Sequence, residues 1–130
     1  MHGLHLTADL QQCGCESHWL TDAQLLLERS LEAVRDAGLQ PVAHLSHTFP
    51  ASAAGAGGVT ATVLLAESHL CIHTWPEHQA VTLDVYVCNF GGDNSHKAHA
   101  LMSALVALFM PVQIVRNELV RGYDVNRVGL

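Results

Sequence analysis

A chain of 130 residues with 49% apolar side chains has the length and composition of one domain, 1–130, burying about two thirds of the surface its unfolded form exposes. No apolar run approaches the roughly 20 residues that a membrane-spanning helix needs, so no membrane span is expected. Twelve acidic residues against six basic ones, with no basic stripe, argue against nucleic acid as a partner and favour a cationic small molecule.

In chain order, Met1–Leu10 lacks a cationic segment followed by an apolar one, so no signal or transit peptide is indicated and a cytoplasmic, reducing location is expected. There Cys13, Cys15, Cys71 and Cys88 are expected as thiols rather than as a disulfide framework. Gly3–Leu10 reads as a first strand. Thr21-Asp22 is a helix-start signal, and Leu26, Leu27, Leu31 and Val34 follow at helical spacing until Gly38 and Pro41. Pro41–Phe49 reads as a second strand and Pro50–Gly58 as a Pro/Ala/Ser/Gly-rich loop with the composition of a flexible connector.

Val59–Leu65 and Ser68–Thr74 fit two strands or one interrupted strand. In Val81–Cys88 the alternation places Val81, Leu83, Val85 and Val87 on a core face and Thr82, Asp84, Tyr86 and Cys88 on a polar one. Asn89–Asn94 is a turn, and Ala98, Leu101, Met102, Leu105 and Phe109 mark a second amphipathic helix ending before Pro111. Val112–Val120 is a last strand. This order predicts an α+β two-layer sandwich: a largely antiparallel sheet with two helices on one face, and its other face free for dimerisation.

The segment Glu67-Ser-His-Leu-Cys-Ile-His-Thr-Trp-Pro-Glu77 gathers an unusual density of reactive side chains. If it is extended, His69, Cys71 and His73 share one face while Leu70 and Ile72 point to the core. Three readings stay open on these residues alone. The first is a strand with a solvated or hydrogen-bonded polar face, the common fate of histidines and small buried thiols. The second is a non-enzymatic metal-binding module that uses His69, Cys71 and His73, with Glu77 or Cys88 as a fourth ligand; it lacks the spacing of familiar zinc motifs. In the third, the Ser68 hydroxyl attacks the Glu67 carbonyl carbon and the chain passes through an ester and dehydroalanine to a pyruvoyl group. That route needs a proton shuttle and an oxyanion donor, for which His73 and Thr60 are candidates.

The run from Gly58 to Glu77, followed by Cys88, closely resembles the bacterial S-adenosylmethionine decarboxylase proenzyme family. His5–Leu10, His47-Thr48-Phe49-Pro50 and Arg121-Gly122-Tyr123-Asp124 extend the resemblance through most of the chain. It implies cleavage between Glu67 and Ser68 into a β chain, 1–67, and a pyruvoyl-headed α chain, 68–130. It also implies His73 as proton acceptor in processing, Cys88 as proton donor in catalysis, Glu77 as ligand of ribose hydroxyls and Phe49 as the aromatic stacked on adenine. Thr60 falls where the family usually has a serine that assists processing; Cys71 replaces a frequent threonine, and the loop 51–57 is longer than usual for the family.

The implied cofactor is the pyruvoyl group derived from Ser68, whose carbonyl forms a Schiff base with the substrate amine and takes the place of pyridoxal phosphate. Lys97, the only lysine, sits at a polar helix start, which independently disfavours a lysine–pyridoxal enzyme. The implied reaction converts S-adenosylmethionine to S-adenosylmethioninamine and carbon dioxide for spermidine biosynthesis, in a homodimer of αβ units without a metal. Ornithine or arginine is the alternative substrate within the same chemistry.

Overall fold

A computed structural model describes residues 1–89 and 91–122. Tyr123 and Asp124, part of the tail that carries the resemblance, lie outside the described residues. The chain runs β1 (His2–Gln11), α1 (His18–Thr21), α2 (Ala23–Asp36), β2 (Pro41–Thr48), β3 (Val59–Leu65), β4 (Ser68–Trp75), a 3-10 turn (Pro76–His78), β5 (Ala80–Cys88), α3 (Ser95–Phe109) and β6 (Gln113–Gly122). The strands form one six-stranded sheet in the order β2-β3-β4-β5-β1-β6, and every pairing is antiparallel.

Strand alternation sorts the side chains onto two faces. Leu4, Leu6, Ala8 and Leu10 of β1 join Val59, Ala61 and Val63 of β3, Leu70 and Ile72 of β4, and Val81, Leu83, Val85 and Val87 of β5 in the core. Helices α2 and α3 cover that face with Leu26, Leu27, Val34, Leu101, Leu105 and Phe109, all buried. The expected helix start is realised in detail: Asp22 caps α2 by accepting the Leu25 N–H at 3.0 Å. Thr74, buried on β4, accepts the Val59 N–H at 2.8 Å and donates to the Leu20 carbonyl at 2.7 Å, tying the short α1 to the sheet.

Among the described residues the opposite face carries no helix. On it Leu45, Leu64, Val115 and Leu119 are 47–77% exposed. Between them lie His5, Asp84, His69 and Tyr86, with the His5 Nε2 atom 2.9 Å from Asp84 Oδ1 and Arg121 5.1 Å over the Tyr86 ring. Among the described residues no helix is long and apolar enough to cross a membrane.

Candidate active site

Ser68 opens β4 directly after a tight hairpin. Leu65 pairs with Ser68, leaving Ala66 and Glu67 as a two-residue turn in which Glu67 is left-handed, with φ +53°. Turns with positive φ only at the second central residue favour glycine or asparagine there, and a side chain in that conformation costs about 1–2 kcal/mol. The strain sits on the residue whose carbonyl precedes Ser68. On the other side, the Ser68 hydroxyl accepts a hydrogen bond from the Cys88 backbone N–H at 3.0 Å.

Cys88 departs from the polar exposure that alternation gives it. It shares the face of Thr82, Asp84 and Tyr86 in sequence parity, but it is the last residue of β5 and is 6% exposed. The start of β4 lies on one side, and on the other Asn94 reaches back, its Nδ2 donating to the Cys88 carbonyl at 3.0 Å.

The far end of the same strands holds a different cluster. Thr60 on β3 faces His73 on β4, with Thr60 Oγ1 2.9 Å from His73 Nδ1. With the Nδ1 proton donated to Thr60, the His73 Nε2 is left as a base; threonine supplies this orienting oxygen as serine would. Trp75 lies 6.1 Å from the His73 ring. A cavity of about 410 Å³, within the size range of small-molecule sites, is lined by Phe49, Thr60, His73, Trp75 and Glu77 together with the 50–58 loop. Phe49 is half exposed at its wall, edge-on to His47, so it is not a core plug. Glu77 stands on the 3-10 turn after Pro76, its carboxylate exposed at the rim.

The 50–58 loop is not the flexible connector its composition suggests. Phe49 N–H donates to the Gly58 carbonyl at 2.9 Å and Ser52 pairs with Gly55. A Cβ on Gly57 would overlap the Phe49 carbonyl, and one on Gly58 the Thr74 carbonyl. Glycine is there because two backbones touch.

The structure therefore brings the expected residues together in two groups rather than one. Ser68, Glu67 and Cys88 occupy one end of the sheet; Thr60, His73, Glu77 and Phe49 occupy the other. His73 is five residues along β4 from Ser68, roughly 16 Å at the rise of a strand, and has opposite parity. Within one chain it cannot reach the Ser68 hydroxyl. The metal reading of His69, Cys71 and His73 is also not realised: among the described residues no three His, Cys, Asp or Glu side chains are grouped to hold an ion. Instead Cys71 lies 3.6 Å from Thr62 Oγ1 and His69 packs on Tyr86. Burial, the neighbouring His5 and Arg121 lower the His69 pKa against a smaller opposing pull from Asp84.

Sequence reasoning missed four contributors. Trp75 lines the cavity, a role its place in the Trp-Pro-Glu string could have signalled. The contacts of Gly57 and Gly58 had no local signal, because Phe49 and Thr74 meet them through the fold. Asn94 was read only as a turn residue.

A sheet with one helix-covered face, carrying a serine and a cysteine at one end and a histidine and a carboxylate beside a cavity at the other, is the scaffold of a small enzyme. Residues 4–122 match the family model described as S-adenosylmethionine decarboxylase. An S-adenosylmethionine decarboxylase proenzyme of Aquifex aeolicus (strain VF5) is 39% identical over 120 residues, covering 92% of this chain and 81% of the relative. One of Hydrogenobaculum sp. (strain Y04AAS1) is 37% identical over 123 residues, with the same coverage of each chain. The crystal structure of the adenosylmethionine decarboxylase from Aquifex aeolicus VF5 superimposes with a TM-score of 0.77 at 35% identity, covering 94% of this chain and 92% of that one. The chain belongs to the S-adenosylmethionine decarboxylase family, and it is an enzyme of the decarboxylase proenzyme type.

Proposed function

We propose that the chain cuts itself between Glu67 and Ser68, forms a pyruvoyl group from Ser68 and decarboxylates S-adenosylmethionine in the cytoplasm, where Cys88 stays reduced. The observation that carries the reading is the left-handed Glu67 joined to a serine whose hydroxyl is held by the Cys88 N–H. In the first step Ser68 Oγ bonds to the Glu67 carbonyl carbon. Its proton goes to a base, and the C–N bond breaks as the Ser68 nitrogen takes up a proton, leaving an ester and relieving the strained turn. Loss of the Ser68 α-proton then breaks the Cβ–Oγ bond and releases Glu67 as a carboxylate. The Cys88 N–H is placed to stabilise the charge that builds on Oγ at this moment. The dehydroalanine left behind tautomerises to an imine, and water replaces its nitrogen, which departs as ammonia.

A pyruvoyl group at position 68 supplies the electron sink for decarboxylation. Cys88, whose main-chain N–H meets Ser68 Oγ, would supply the thiol proton for the carbon that loses the carboxylate. Phe49 and Glu77, at the wall and rim of the cavity, suit an adenine ring and ribose hydroxyls, which favours S-adenosylmethionine over ornithine or arginine. The product, S-adenosylmethioninamine, serves spermidine biosynthesis, as in the family.

The base for Ser68 comes from a second copy. The helix-free face carries exposed Leu45, Leu64, Val115 and Leu119, the kind of apolar surface that closed symmetric dimers bury. A two-fold axis between two such faces, perpendicular to the strands, sets the Ser68 end of one copy against the Thr60–His73 end of the other. Each homodimer then holds two complete sites.

Intact-mass measurement of the purified protein is expected to find fragments 1–67 and 68–130, and Ser68→Ala to abolish the cut. Release of carbon dioxide from S-adenosylmethionine, ornithine and arginine is then compared. An intact parent chain overturns the reading, and turnover of ornithine or arginine alone overturns its substrate.

A further inference from the structure

The turn after Cys88 spends its polar side chains in an unusual way. Asn94 stands at the N-cap of α3, where an asparagine ordinarily accepts a hydrogen bond from an N–H of the first helical turn. It makes no such bond. Its side-chain amide instead donates to the Cys88 carbonyl at 3.0 Å, and Asp93 Oδ1 accepts the Ser95 N–H at 2.9 Å. Asn94 is itself fixed from both sides. Its N–H donates to Asn89 Oδ1 at 2.8 Å and its carbonyl accepts from Ala98 N–H at 3.1 Å, while the Asn89 N–H donates to the His2 carbonyl at 2.8 Å.

The main chain of Cys88 is thus gripped at both ends, its N–H by Ser68 Oγ and its carbonyl by Asn94. Holding both groups of one residue fixes its φ and ψ together, and with them the direction of the Cα–Cβ bond. Two groups depend on that geometry: the N–H aimed at Ser68 Oγ and the thiol that the same residue carries. A cap moved to Asp93 and a side chain redirected onto the cysteine carbonyl are what a clamp requires and what a helix cap alone does not.

We infer that Asn94 is a positioning residue that acts through Cys88, aligning the Cys88 N–H on the Ser68 hydroxyl during self-cleavage and the Cys88 thiol during decarboxylation. The inference rests on the roles proposed above for Ser68 and Cys88. Its reach is confined to one end of the sheet, since Phe49 and Glu77 lie at the other.

Asn94→Asp separates a clamp from a cap. Aspartate is nearly isosteric and at least as good at an N-cap, but it cannot donate to the Cys88 carbonyl and sets a carboxylate against it. The full-length variant is expected to cleave at least tenfold more slowly than the parent, followed by intact mass over time. The matured fraction is expected to lose at least tenfold in kcat with KM for S-adenosylmethionine unchanged, while the thermal midpoint stays close to the parent's. Asn89→Asp, which keeps the acceptor for the Asn94 N–H, is expected to behave as the parent. Should Asn94→Asp fail to fold, Asn89→Ala leaves the Asn94 amide in place, frees its backbone and is expected to slow cleavage in the same direction. Parental rates in Asn94→Asp, or a loss of rate that only tracks lost thermal stability, overturn the inference. A parent chain that stays intact overturns the Ser68 reading instead.

Discussion

The two ends of the sheet hold their functional groups by different means. At the Ser68 end position comes from the main chain: a hairpin register, a left-handed Glu67, the Cys88 N–H and the Asn94 clamp. At the other end it comes from side chains around a cavity, the Thr60–His73 pair, Trp75, and a loop wedged in place by glycine contacts. A nucleophile that must meet its own neighbouring carbonyl has to be fixed relative to the backbone, so hydrogen bonds of the main chain suit it. A surface that receives a ligand needs shape, which side chains and a loop provide. Placing the two at opposite ends of the same strands separates them within one chain, which is why the proposed function calls on a two-fold pairing to bring them together.

The largest effect that could break this picture comes from mixing subunits. His73→Ala alone is expected to lose at least a hundredfold in the rate of self-cleavage, the scale of a lost general base, and Ser68→Ala cannot cleave at all. Co-expressed with distinguishable tags, the two variants form heterodimers in which the His73→Ala chain meets an intact His73 on its partner. That chain, and not the Ser68→Ala chain, is expected to be cut. Two silent variants that stay silent in a purified heterodimer would refute the exchange of half-sites between copies.

A smaller effect sharpens the account of the cavity end. Gly58→Ala drives a methyl group into the Thr74 carbonyl, on the residue whose hydroxyl also holds the Val59 N–H and the Leu20 carbonyl. A loss of about 1–3 kcal/mol is expected, the usual cost of forcing extra atoms into a packed site. Gly92→Ala, with open space around it, is expected to stay within about 0.5 kcal/mol of the parent. Thermal unfolding in the Ser68→Ala background, where the chain remains whole, measures both; equal stability of the two would return the 50–58 loop to the status of a slack connector.

Much of this was legible in the sequence because periodicity reports burial. The valines of β5, Leu26, Leu27 and Val34 of α2 and the apolar stripe of α3 occupy the core that their spacing assigns, with Leu31 partly buried against it. The Glu67–Glu77 string singled out Ser68 and His73 together, yet strand geometry puts them too far apart to meet within one chain, and a pairing between copies of the kind proposed leaves no mark on a single sequence. Cys88 shows the limit of alternation, which gives a residue's face but not what folds over it at the end of a strand. Gly57, Gly58 and Asn94 were opaque for a related reason: each answers to a backbone carbonyl from another part of the chain, at Phe49, Thr74 and Cys88, so composition suggested only a loose loop and a turn.

Between the two ends, on the face assigned to the dimer contact, His69 offers the smallest and most specific test. Its pKa is lowered chiefly by burial, then by His5 and Arg121, with Asp84 pulling the other way and the Tyr86 ring against it. A histidine whose folded pKa lies below its unfolded value of about 6.5 binds its proton more readily when unfolded. Its contribution to stability is fully present above about pH 6.5 and is lost as pH falls toward the folded pKa. Urea unfolding of the Ser68→Ala protein is expected to show stability falling across that window, and His69→Gln to flatten part of the slope. An unchanged slope in His69→Gln would show that His69 is not the source of the acid sensitivity.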